Sequence, residues 1–194
     1  MKSTTVRRLA SPVLALGLSL SHGLMAQDQH SHPAATPKAT VPLDQQQGLI
    51  KAVRDATAKY QDVKAAMADG YQLVFGCVSG EDSGAMGLHY LNSSILNAGI
   101  LDPSRPTIVI YEPQPDGTQK LIGADFLVMA DAWNLTHSGP PQLMGQWFHL
   151  FTSPNRFGLP PFYTLHVWAW KENPTGAFVN WHSDVSCAAY DPKQ

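Results

Sequence analysis

The chain has 194 residues, with 13 Lys and Arg against 15 Asp and Glu and a formal charge of −2. Its cations are scattered singly, which excludes nucleic-acid binding by counterion release, a mechanism that needs clustered Lys and Arg. The length suits a single domain, and no stretch is apolar over the roughly 20 residues a membrane-spanning helix requires.

Met1 to Ala26 opens with Lys2, Arg7 and Arg8 and no acid, then runs apolar through Leu9, Val13, Leu14, Leu16, Leu18 and Leu20. This is the pattern of a secretory signal peptide ending at a small residue. Removing it takes away those three cations and no anion, so the remaining chain carries about −5. Residues 27–43, rich in Gln, His, Pro, Ala and Thr, read as a flexible linker containing His30 and His32. Residues 44–194 are expected to form one domain in the periplasm or outside the cell, with no membrane span left after cleavage. Cys77 and Cys187 lack C-x-x-C spacing, and an even count in an oxidising compartment predicts that they form a disulfide.

Asp44 is a candidate N-cap. Leu49, Val53, Ala56, Tyr60, Val63 and Met67 then recur at steps of three and four until Gly70. The spacing predicts an amphipathic helix from Gln45 to Asp69, bent near Gln61-Asp62, where Asp62 can cap a second segment. Tyr71 to Phe75 reads as a short strand. Gly80 to Asn92 reads as a glycine-punctuated loop that delivers His89, Tyr90 and Asn92 together. That loop has no Lys or Arg and carries Glu81 and Asp82, which argues against a phosphate cradle. Ser79 is one place too late for a G-x-S-x-G nucleophile elbow.

Thr107 to Glu112 and Lys120 to Met129 predict a hairpin about the Asp116-Gly117 turn. Leu143 to Phe151 reads as a strand or a short buried helix. In Tyr163-Thr164-Leu165-His166-Val167-Trp168-Ala169-Trp170 the polarity alternates with period two. A strand there places Thr164, His166, Trp168 and Trp170 on one side, and Leu165, Val167 and Ala169 on the other. Ala177 to His182 reads as a final strand. The sum is an α+β domain, an N-terminal amphipathic helix packed on a mostly antiparallel sheet of four to five strands.

Gly70-Tyr71, Gly84 to Asn92, Tyr111-Glu112, Gly145-Gln146-Trp147-Phe148-His149 and Leu165 to Lys171 together resemble the motifs of an uncharacterised family of exported bacterial proteins. The resemblance covers most of the chain after the linker. It implies a bacterial source and an extracytoplasmic location, and it transfers no catalytic residue.

His89, His149 and His166 each lie in or beside an aromatic, core-like stretch rather than in a polar loop. Three converging imidazoles are a familiar site for Zn or Cu, so these residues are the predicted metal ligands. Glu112, Asp125 and His182 are candidates for an oxygen or further nitrogen ligand, or for orienting an imidazole from behind. The ligands come from separate segments without H-E-x-x-H or H-x-H spacing, so their convergence depends on the fold. Each His could instead be an individually hydrogen-bonded core residue. Two further alternatives are a metal-free binding protein and a metal-free His/carboxylate acid–base enzyme. The first would hold a small molecule in an aromatic pocket of Tyr90, Asn92, Trp147, Phe162, Trp168 and Trp170. The residue types alone do not decide between enzyme and binding protein, and they do not specify an oligomeric state.

Overall fold

The computed structural model of the protein describes residues 42–192. The expected signal peptide, and all of the expected linker except Pro42 and Leu43, lie outside the described residues. Helix α1 spans Leu43–Thr57, so it begins inside that linker. Pro42 rather than Asp44 occupies the N-cap position, and Asp44 lies in the first turn, where its carboxylate complements the helix dipole.

The predicted bend is present as a 3-10 turn at Ala58–Gln61, in which Tyr60 leaves helical geometry. Tertiary partners explain the break. The carbonyl of Tyr60, freed from the helical ladder, accepts the buried Tyr111 hydroxyl at 2.7 Å. The Thr57 hydroxyl donates to Val53 and accepts from the Trp170 indole. Helix α2, Val63–Ala68, then starts at Asp62, whose side chain accepts from the Lys64 amide.

The main sheet has six strands rather than four or five: β1 (Tyr71–Ser79), β2 (Ala85–Asn92), β3 (Ile108–Pro113), β4 (Gln119–Met129), β7 (His149–Phe151) and β8 (Phe162–Val167). Their spatial order is β1-β2-β3-β4-β8-β7 and every neighbouring pair is antiparallel. Short helices α3 (Ser93–Ala98) and α4 (Ala130–Asn134) follow β2 and β4. Gln142–Leu143 (β5) and Gln146–Trp147 (β6) pair as a separate hairpin, so the stretch from Leu143 is neither one strand nor a helix. Met144 and Gly145 both have positive φ, as a two-residue hairpin turn requires.

The stretch read as a glycine loop holds an interior strand, β2. The stretch read as a final strand, Ala177 to His182, is irregular and touches the sheet through one bridge, Ala85 to His182. Strand β8 also ends earlier than predicted. The Ala169 amide turns back to the Val167 carbonyl at 2.9 Å, a tight turn that breaks the two-residue alternation. Trp168 therefore stays with one face while Trp170 packs with the other.

The two faces of the sheet have different covers. On one, Ala124, Phe126, Leu165 and Val167 pack with Leu49 and Val53 of α1, and Leu88, Tyr90, Val109 and Tyr111 pack with Tyr60 and Ala66. The Arg54 side chain ties α1 down by donating to the Ala169 carbonyl. On the other, Ile108, Ile110, Leu127, Phe162 and Trp168 pack under Phe157 and Leu159 of the 152–161 segment and Val185 and Cys187 of the C-terminal segment. His89, Asp125, Thr164 and His166 alternate with the helix-facing residues and so belong to this second face.

The predicted Cys77–Cys187 disulfide is present and ties edge strand β1 to the C-terminal segment across 110 residues of sequence. Closing a loop of that length restricts the unfolded chain, so Cys77→Ser is expected to cost about 4 kcal/mol. The denaturant midpoint of oxidised wild type against the variant measures it; coincident midpoints would show that the bond adds no stability.

Candidate metal centre

His89 comes from β2, Asp125 from β4 and His166 from β8. Asp125 and His166 are direct cross-strand partners, whereas His89 reaches the same point from beyond β3. All three side chains are buried, and one ligand atom from each lies within 4.8 Å of the others. His89 Nε2 is 3.4 Å from His166 Nε2, and His166 Nδ1 is 3.7 Å from Asp125 Oδ2. Two donors about 2.0–2.1 Å from a tetrahedral ion stand roughly 3.4 Å apart, and two donors of any one ion cannot exceed about 4.2 Å. The imidazole pair already has this spacing, and the widest pair, within 4.8 Å, must close by about 1.4 Å for a tetrahedral ion and by about half an ångström even if its two donors stand opposite each other.

Hydrogen-bond chemistry determines one tautomer. His89 Nδ1 is 3.1 Å from the Gly87 carbonyl, which can only accept, so Nδ1 carries the proton and Nε2 presents a lone pair. His166 has no backbone anchor: its Nδ1 is a buried atom without a close hydrogen-bond partner, and the ring's remaining polar neighbour is the Asn180 side chain. If neutral His166 is protonated at Nε2, its bare Nδ1 faces the Asp125 carboxylate. If it is protonated at Nδ1, the two bare Nε2 atoms face each other. Either way two lone pairs oppose one another in a buried setting, so the group is one positive charge short of satisfying its close contacts.

Asp125 is held as a carboxylate by its neighbours. The Thr164 hydroxyl shares its proton between Oδ1 at 2.6 Å and Oδ2 at 2.7 Å, and the Leu165 amide donates to Oδ1. Burial still raises its pKa to about 6 against these donors, which leaves it ionised at neutral pH. Burial lowers His89 to about 4 and His166 to about 3, with a further lowering of His89 by His166 and of His166 by the nearby His149, which a hydrogen bond with the Asn180 side chain opposes. At pH 7 the set is therefore two neutral imidazoles and one carboxylate, the protonation state that a metal ion binds.

These shifts set the pH dependence of the metal-free protein. In the unfolded chain the imidazoles protonate below about 6.5, and in the folded protein only near 4 and 3. Their contribution is complete above 6.5 and is lost as pH falls toward those folded values. Asp125 has the opposite sign: its contribution is complete below 3.8 and lost as pH rises through 6. Two imidazoles outweigh one carboxyl, so stability is expected to fall between pH 6.5 and 4, and less steeply in His166→Asn. Denaturant midpoints across that range test this; identical pH slopes in the two proteins would contradict it.

The other predicted site residues do not join this ligand group, although His149 is near enough to His166 to lower its pKa. His149 is exposed on edge strand β7 opposite Thr164, outside the group of mutually close ligand atoms. Glu112 is paired with Lys171 at 2.8 Å and accepts the Ser186 amide. His182 is buried but accepts the Asp184 amide and meets the Trp168 ring edge-on, apart from the cluster. Tyr90 belongs to the helix face, in edge contact with Tyr111. Asn92 caps α3, accepting from the Ser94 and Ile95 amides. Trp147 is 57% exposed on β6. Trp168 stands 5.7 Å from the His166 ring as backing, and Trp170 has crossed to the helix face.

The cavity beside the histidines is bounded instead by Phe75, Met86, Ile108, Leu127, Phe157 and Phe162, with Thr164, His89, Asp125 and His166 at its base. Its volume is about 20 Å³, far below the several hundred Å³ of a pocket for a drug-sized ligand. Of the predicted aromatic lining only Phe162 is present. Thr164 was legible as a same-face neighbour of His166, but its bond to Asp125 depends on strand register. Comparison with protein-family models, curated proteins and solved structures finds no match to this chain.

Proposed function

We propose that His89, Asp125 and His166 hold one divalent transition-metal ion, Zn or Cu, in an exported bacterial protein. The observation that carries the reading is the charge deficit of the buried group: an ion supplies the positive charge that neutral His166 cannot deliver to both neighbours. The donor set fits. Two imidazoles and a carboxylate suit Zn(II) and Cu(II), and both cysteines are consumed in the disulfide, so no thiolate is offered that would favour a soft ion. Asp125 thus takes the ligand role that the sequence pattern assigned to His149.

Export is supported by the N-terminal sequence pattern, by the disulfide, and by the motifs that resemble an exported bacterial family. No helix among the described residues is long and apolar enough to cross a membrane. Three protein ligands leave a coordination position for water or substrate, which is the arrangement of catalytic rather than structural zinc sites.

The test is metal content by mass spectrometry on the full chain carrying His30→Ala and His32→Ala, after incubation with Zn or Cu and desalting. About one equivalent per chain is expected. Retention of neither ion would sink the proposal.

A further inference from the structure

We propose that the cavity above the His89–Asp125–His166 group admits a small uncharged apolar molecule of two or three heavy atoms through the seam between Phe75 and Phe157. The inference rests on the metal reading for its purpose, since such a molecule would lie against the three residues that would hold the ion. Its evidence is separate and lies in the walls.

About 20 Å³ accommodates roughly one small molecule. The surface above the polar base is made of aromatic and aliphatic side chains, on which water is poorly held. No Lys or Arg lines the cavity, and Asp125 at its base repels anions. A neutral, weakly hydrated guest fits these conditions, and a charged or strongly hydrated one does not.

The entrance is built, not incidental. Strand β1 carries a bulge between Val74 and Cys77, in which Phe75 adopts φ 62° and Gly76 φ 63°. A side chain other than glycine occupies that region at a cost, and bulges serve to re-aim a side chain. Phe75 thereby leaves the run of the edge strand and lines the cavity, its ring 5.2 Å from Phe157. The opposite lip is fixed as well. Asn155 holds the 152–161 segment by donating to the Thr152 and Leu159 carbonyls and accepting the Phe157 amide. Arg156 fastens that segment to β1 by donating to the Ser79 carbonyl at 2.8 Å. The two half-exposed rings meet only by ring contact, so side-chain rotation can open the seam while the Arg156–Ser79 tie and the sheet beneath stay in place.

Xenon and azide test the proposal on the metal-free full chain, with the His89 and His166 imidazole resonances followed by NMR. Xenon is expected to shift both saturably in wild type, and at least about tenfold more weakly in Leu159→Trp, whose added volume fills a close-packed cavity. Azide, a small linear anion, is expected to shift neither. Absence of a xenon response in wild type, or an azide response as strong as that of xenon, overturns the inference whether or not the variant folds. Failure of the metal titration would leave the xenon result standing, so the two proposals fail separately.

Discussion

His166→Ala is expected to lose at least about 100-fold in Zn or Cu affinity, more than loss of a residue that merely supports a ligand costs. The reason is its position. One ring nitrogen faces His89 at 3.4 Å and the other faces Asp125 at 3.7 Å, so without it the two remaining ligands come from strands separated by β3. His149→Ala, on the exposed edge strand, is expected to bind within about threefold of wild type, as a change at an exposed residue outside the ligand group should. Titration calorimetry of the two variants decides between the geometry and the sequence pattern. Equal losses would return His149 to the ligand set, and no loss in His166→Ala would remove the site.

Gly87→Ala is expected to destabilise the protein by roughly 2–4 kcal/mol, combining positive-φ strain with overpacking. Gly87 has φ 92°, and a methyl group there would lie 2.6 Å from the Tyr111 carbonyl on β3. Its own carbonyl anchors His89 Nδ1, so the backbone shift that relieves the clash also frees the His89 tautomer. Gly99 is the matched control: it too has positive φ, 64°, but open space where its methyl would go. Gly99→Ala should cost about 1 kcal/mol, the conformational share alone. Denaturant unfolding of both variants measures the difference, and equal costs would show that the contact with Tyr111 carries no weight.

Gly87 also shows why part of the fold was hidden. Glycines at 84 and 87 are the ordinary punctuation of a loop, and the reading of Gly80 to Asn92 as one followed from composition. In the structure a strand runs through that stretch because both of its faces are buried and its neighbours approach too closely for a Cβ at 87. The helix bend near Gln61-Asp62 was legible from Asp62 as a cap, but the partner that holds it, Tyr111 on the Tyr60 carbonyl, lies 51 residues away and was not.

What the sequence determined by itself was everything carried by short-range pattern. The α+β class, the Thr107–Met129 hairpin, the placement of Thr164 and His166 on one face, and the pairing of two cysteines all follow from periodicity, turn chemistry and parity. The tertiary structure alone decided which side chains meet. His149 and Asp125 are both plausible ligands on paper, and pairing register sets Asp125 opposite His166 while leaving His149 at the exposed edge. The turn at Val167–Ala169 sent Trp170 to the far face and dismantled the aromatic pocket that alternation implied. Side-chain alternation is a property of one strand, whereas convergence is a property of several, and the contacts that set register and turns are long in sequence and short only in space.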